Sequence, residues 1–201
     1  AAQATAAYVK ARPGRGVIAT GCPAVVNYVE QYRPELTGAL APVVSPMIAH
    51  ARRIKAKLGD GTRVIFIGPC AAKKAESERP EHAGAVDCVL TFAELEQWLA
   101  RAGIELARCE ESTFDDSPTG AARFFPAPGG LARTAGLDTD LLSAECQCMS
   151  GFEAVRDALD QLARTGSGGL IEPLFCPQGC VCGPGRSEER RVGKECRSRW
   201  A

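Results

Sequence analysis

Three apolar runs rich in β-branched residues punctuate the chain, and each finishes in a loop that joins cysteine to proline. They are G-V-I-A-T-G-C-P from Gly16 to Pro23, R-V-I-F-I-G-P-C from Arg63 to Cys70, and L-I-E-P-L-F-C-P-Q-G-C from Leu170 to Cys180. Continuous apolar runs of this length, bounded by Gly and Pro, read as buried strands of a parallel sheet. D-C-V-L-T, from Asp87 to Thr91, reads as a fourth strand. Helical patterns lie between them: Ala24 to Tyr32, Ile48 to Leu58, Ala71 to Arg79, Phe92 to Ala102, and Gly151 to Ala163. The last sets Phe152, Val155, Leu159 and Leu162 on one face. Strands alternating with helices predict βαβ units, and so an α/β domain with a mostly parallel sheet and flanking helices. The stretch from Glu110 to Asp140 is rich in Pro, Gly and Asp and reads mostly as loop, with Pro126 to Gly130 as its tightest turn.

The end of the chain breaks this pattern. R-S-E-E-R-R-V-G-K-E-C-R-S-R-W, from Arg186 to Trp200, has no apolar periodicity. It matches the conceptual translation of a common short-read sequencing adapter, so residues 186–201 are read as no domain and are excluded like a fusion scar. The remaining 185 residues suffice for one ordinary domain with a real core. The start at Ala1, without methionine, together with that tail, reads as truncation at both ends. Without the tail, Lys+Arg falls from 24 to 18 and Asp+Glu from 24 to 21, moving the net charge from zero to about −3. That balance speaks against a nucleic-acid partner. No run approaches the ~20 apolar residues of a membrane span and no leader pattern is present, so the cytoplasm is the expected location.

Loops leaving the carboxyl ends of strands in an open parallel sheet emerge along one edge, where such folds bind ligands. Cys22, Cys70, Cys176 and Cys180 all sit just past an apolar run and are expected to converge on one crevice. Cys88 falls within a strand pattern, and Cys109, Cys146 and Cys148 fall in less regular segments. Disulfides suit small secreted scaffolds, and structural zinc usually shows paired Cys-x-x-Cys knuckles. A 4Fe-4S cubane tolerates ligands far apart in sequence. Proline beside Cys22, Cys70 and Cys176 stiffens each ligand loop, and the glycines around Cys180 permit close approach of backbone. Spacing therefore favours the cubane over the other two readings.

T-G-C-P-A-V-V, then S-P-M-I, then G-P-C-A-A-K-K-A-E, then F-C-P-Q-G-C-V-C-G-P-G resemble, in order, the active-site motifs of the iron-only (di-iron) hydrogenase large subunit, C-terminal domain. The resemblance runs from about Gly16 to Gly185. It implies a 4Fe-4S cluster on Cys22, Cys70, Cys176 and Cys180, with Cys180 also bridging to a di-iron subsite that carries carbonyl and cyanide ligands. It further implies that the Lys73 ammonium meets a cyanide of that subsite; the bland alternative is a solvated lysine in a helix's first turn. A ferredoxin-like electron donor or acceptor, or fused iron-sulfur and signalling modules, are the implied partners.

The departures from the family pattern are equally specific. Hydrogen-evolving members carry a proton-relaying cysteine immediately before the first ligand, where Gly21 stands here. Methionines two residues before the second and third ligands are replaced by Gly68 and Leu174, and Met47 stands where glutamine is usual. The pattern resembles the divergent, sensory branch, which points to redox or gas sensing or electron transfer. Reversible hydrogen oxidation and an iron-sulfur assembly scaffold are the other two readings. Cys182 reads as a thiol beside the ligands, Cys146 and Cys148 as ordinary half-buried thiols, and His50 and His82 as surface residues. No Ser-His-Asp constellation or phosphate loop is present.

Overall fold

A computed structural model describes residues 1–116, 120–137 and 146–186. Residues 187–201 lie outside it, and with them nearly all of the adapter-like tail. Seven helices and five strands follow one another among the described residues. They are α1 (Ala2–Lys10), β1 (Val17–Ile18), α2 (Pro23–Tyr32), α3 (Pro46–Leu58), β2 (Ile65–Gly68), α4 (Ala72–Ser77), β3 (Cys88–Thr91), α5 (Phe92–Arg101), α6 (Gly130–Ala135), β4 (Cys146–Ser150), α7 (Phe152–Thr165) and β5 (Leu170–Leu174). All strand pairings are parallel, as the alternation of strands and helices predicts.

The strands form two sheets rather than one: β1-β5-β4 and β2-β3. Hydrophobic periodicity identifies strands but not their neighbours, which explains the difference. In the three-stranded sheet β5 is central and buried along its whole length. It nevertheless contains Pro173, a residue ordinarily kept to sheet edges because it has no N–H. The Ile171 carbonyl accepts from Ala19 on the β1 side, whereas the Leu174 carbonyl accepts from Gly151 on the β4 side. Alternation along the strand then points the missing donor of Pro173 toward β1, which pairs only as far as Ile171. No ladder bond is lost.

Helix α7 connects β4 to β5 and buries Val155, Leu159 and Leu162 against the sheet with Ile18, Val25 and Val29. It ends at Gly166, whose left-handed φ of 65° lets its N–H reach the Leu162 carbonyl at 2.8 Å. Phe152, expected on the same face, lies at its rim and is partly exposed. The second sheet packs on α3 through Met47, Ile48, Val64 and Val89. The β2 run is not buried on both faces as expected: Phe66 packs toward this cluster, while Ile65 and Ile67 are 52% and 41% exposed. Only one face of this two-stranded sheet is covered among the described residues.

Candidate functional site: a four-thiol crevice

The expected ligand positions fall at the carboxyl ends of strands from both sheets. Cys22 follows β1 and is the residue before Pro23, the first residue of α2. Proline suits that position because its absent N–H is one that a helix start leaves unpaired. Cys70 follows β2 and leads into α4, where its sulfur receives the backbone N–H groups of Lys73 and Ala72. Cys176 and Cys180 follow β5, joined by a turn in which the Gly179 N–H donates to the Cys176 carbonyl at 3.0 Å. Gln178 in that turn adopts φ 62°, uncommon for a non-glycine residue.

Burial pushes the Cys180 thiol up to about 12, and the charges of Cys22, Cys70 and Cys176 push it the same way, while Lys73 opposes them. Cys70 is likewise raised, first by burial and then by Cys22. Interactions of this kind weaken with distance, so the Cys180 thiol lies near those of Cys22, Cys70 and Cys176. Cys88 and Cys109 are exposed and take no part in it. Cys182 lies just beyond, with its sulfur 4.0 Å from the Gln178 side-chain oxygen.

The loop carrying Cys176 and Cys180 is held by its neighbours through close backbone contacts. The Cys180 N–H donates to the Pro126 carbonyl at 2.7 Å, and the Gly185 N–H to the Pro69 carbonyl at 2.8 Å. A Cβ on Gly179 would stand 2.6 Å from the Pro126 oxygen, and one on Gly183 2.5 Å from the Pro69 oxygen. Glycine is therefore required at both places. The Pro126 to Gly130 turn, legible in sequence, thus serves to clamp the ligand loop, and it runs on into α6. Tyr28, Phe152 and Phe175 form a triangle of edge-on rings with centroids 5.5–5.6 Å apart, fixing the residue before Cys176.

Lys73 is buried, which overturns the alternative of a solvated lysine. Its ammonium donates to the Glu76 carboxylate at 2.7 Å and lies 3.5 Å from the Gly21 carbonyl. Glu76 is itself buried and was not singled out in sequence, where it reads as one more charge on a helix. The family-divergent positions are occupied as follows. A Cβ at Gly21 would meet the Phe125 ring at 3.2 Å, and a Cβ at Gly68 would meet the Phe66 ring at 2.9 Å. Met47 packs in the core beneath the second sheet and Leu174 in the core beneath the first.

Two expectations outside the crevice change. Cys146 and Cys148 lie on β4, not in an irregular segment. His82 is only half-exposed, and its Nδ1 is buried without a hydrogen-bond partner among the described residues; His50 is exposed, as expected.

These features define an α/β domain that gathers cysteine thiols at the carboxyl ends of parallel strands. The chain belongs to the family of the iron-only hydrogenase large subunit, C-terminal domain, whose family model matches residues 2–184. It is 28% identical to the periplasmic [Fe] hydrogenase large subunit of Nitratidesulfovibrio vulgaris, an alignment covering 82% of this chain and 50% of that protein. It is also 38% identical over 82 residues to the cytosolic Fe-S cluster assembly factor NAR1 of Vanderwaltozyma polyspora, covering 41% of this chain and 16% of that one. The chain thus spans at most half the length of these two curated relatives. In fold it is similar to a variant of the [FeFe]-hydrogenase HydA1 from Chlamydomonas reinhardtii, with a TM-score of 0.65 at 18% identity, covering 94% of this chain and 68% of the other.

Proposed function

We propose that Cys22, Cys70, Cys176 and Cys180 hold a 4Fe-4S cluster, and that the domain serves redox or gas sensing or electron transfer rather than hydrogen turnover. The donor set fits such a group. Cys22, Cys70 and Cys176 all lie near enough to Cys180 to raise its thiol, and the glycines at 179 and 183 bring two loops into backbone contact beside it. When bound, a cluster of this kind supplies one-electron redox chemistry. The chain's own part is to hold four thiolates in place, to exclude water from Cys22, and to set the buried Lys73 ammonium beside them. Were a di-iron subsite also bound, Cys180 and Lys73 are the residues that would hold it.

One observation carries the preference for sensing or electron transfer. Hydrogen turnover needs a proton donor positioned at the reacting centre; Gly21 has no side chain to supply one, and a Cβ there would stand 3.2 Å from the Phe125 ring. We place the domain in the cytoplasm, exchanging electrons with a ferredoxin-like protein or a fused iron-sulfur module. Similarity to the N. vulgaris hydrogenase supports the reading as an active enzyme, and similarity to NAR1 supports a role in iron-sulfur assembly.

The test is infrared spectroscopy and hydrogen assay of anaerobically prepared protein, with and without the hydrogenase maturation enzymes. The proposal expects a cubane signal by electron paramagnetic resonance and no hydrogen evolution in either preparation. Carbonyl and cyanide bands establish the di-iron subsite. Turnover at the rate of a working hydrogenase overturns the proposal.

A further inference from the structure

Outside the crevice, β4 and β5 bring together three metal-ligating side chains. Cys146 and Cys148 are alternate residues on β4 and so share a face of the sheet. Glu172, paired in register with Cys148 on β5, extends from that face as well. The two sulfurs are 3.7 Å apart, and the Cys148 sulfur is 3.7 Å from Glu172 Oε2. All three donor atoms lie within 4.8 Å of one another. We propose that Cys146, Cys148 and Glu172 form a second metal site, for a thiophilic divalent cation of the zinc type. It is separate from the four-thiol crevice and does not depend on the function proposed for that crevice.

Metal–sulfur bonds of about 2.3 Å at the tetrahedral angle set two thiolates about 3.8 Å apart, and a sulfur and a carboxylate oxygen about 3.5 Å apart. The Cys146–Cys148 and Cys148–Glu172 separations of 3.7 Å match this geometry, and the third, from Cys146 to Glu172, is within 4.8 Å. A disulfide fits less well, because its Cβ atoms stand about 4 Å apart whereas alternate strand residues are about 6.6 Å apart.

Glu172 is also held in a fixed orientation. Glu172 is 3% exposed, and its two oxygens accept the Leu131 and Ala132 N–H groups, each at 3.0 Å. The Gly129 N–H also donates to this carboxylate, and a ligand carboxylate is ordinarily fixed by hydrogen bonds of this kind. Cys146 is buried but Cys148 is exposed, so an ion can enter from solvent and keep a water as its fourth ligand. Two thiolates and a carboxylate give the soft, anionic donor set that selects such an ion over magnesium or calcium.

The test titrates the reduced, metal-stripped full chain with Co²⁺ under anaerobic conditions, then displaces it with Zn²⁺. Thiolate-to-cobalt charge-transfer absorption and the strong visible bands of tetrahedral cobalt are recorded. Because the crevice also offers thiols, the titration is made in a Cys176→Ser/Cys180→Ser background. One cobalt equivalent with a two-thiolate spectrum should remain there. Adding Cys148→Ser should abolish that spectrum, and Glu172→Gln should weaken binding about 10- to 100-fold. If the background variant misfolds by circular dichroism, zinc per protein is measured instead in the reconstituted wild type and in its Cys148→Ser variant, a near-isosteric change at an exposed position. A loss of one zinc equivalent supports the site. Cobalt or zinc stoichiometry unaffected by Cys148→Ser, or no tightly bound equivalent in a folded protein, overturns it.

Discussion

Replacing Gly21 by cysteine restores the residue type that hydrogen-evolving relatives are expected to carry, and the surroundings oppose it. Gly21 does not have positive φ, so a side chain meets no backbone penalty there. The obstacle is Phe125, whose ring carbon would lie 3.2 Å from the new Cβ. That is inside the ~3.5–4.0 Å at which carbon contacts are favourable. The ring also packs against the core around Leu131 and Ala132 and has little freedom to retreat. Overpacking of this kind costs about 1–3 kcal/mol, and losing the glycine's freedom in the unfolded chain returns about 0.4–1 kcal/mol. A net destabilisation of roughly 1–2 kcal/mol is expected for Gly21→Cys. Urea unfolding should show a lower midpoint at unchanged slope. Phe125→Ala removes the obstacle, so the double variant should be more stable than the sum of the two single losses by about 1–2 kcal/mol. Additivity within ~0.5 kcal/mol would show that Phe125 does not restrict this space, and the packing account of Gly21 would fail.

Cys22→Ala, Cys70→Ala, Cys176→Ala and Cys180→Ala should each sharply reduce iron and sulfide per protein after anaerobic reconstitution, whereas Cys88→Ala, Cys109→Ala and Cys182→Ala should retain them. Loss with Cys182→Ala and retention with Cys180→Ala would show that the register across F-C-P-Q-G-C-V-C is wrong. Lys73→Ala strands the buried Glu76 carboxylate and should cost about 3–5 kcal/mol, while Lys73→Met/Glu76→Leu should recover most of it; thermal melts that rank the two variants the other way refute the pairing. In cluster-free protein burial pushes the Cys180 thiol up to about 12, from an ordinary value near 8.5. The unfolded chain therefore loses this proton first, and the group's stabilisation is present below pH ~8.5 and lost as pH rises toward 12. Urea midpoints should fall over that window, less steeply in Cys180→Ala; equal slopes would contradict the burial.

The three ligand-bearing strands were legible because unbroken β-branched runs between Gly and Pro have few other readings. Helix α5 was legible from its amphipathic run, and its start is fixed by a capping box between Thr91 and Glu94. Strand β4 escaped because C-Q-C-M-S offers neither β-branched residues nor clear alternation. Helix α1 escaped because its alanine-rich sequence carries a weak apolar stripe, and only Ala2, Thr5 and Ala6 are buried. Within the site, motif order pointed to the four cysteines. Nothing in the sequence revealed that Phe125, about a hundred residues from Gly21, occupies the space beside it, or that Glu76 neutralises Lys73. Both depend on how side chains pack in three dimensions, which local pattern does not encode.

The strand order β1-β5-β4 also bears on when the protein can take up its cofactor during synthesis. β1 has β5 as its only neighbour among the described strands, and the two are about 150 residues apart in the chain. At a translation rate of about 5–20 residues per second, β1 and Cys22 wait roughly ten to thirty seconds for their partners to emerge from the ribosome. The Gly183 and Gly185 contacts that close the second sheet onto the crevice come later still. Cys22 and Cys70 would meanwhile be held on a nascent chain with two of four thiols in reach. Insertion before Cys176 and Cys180 have emerged is thus disfavoured by topology, and delivery of iron and sulfide is expected to act once the chain through Gly185 has folded.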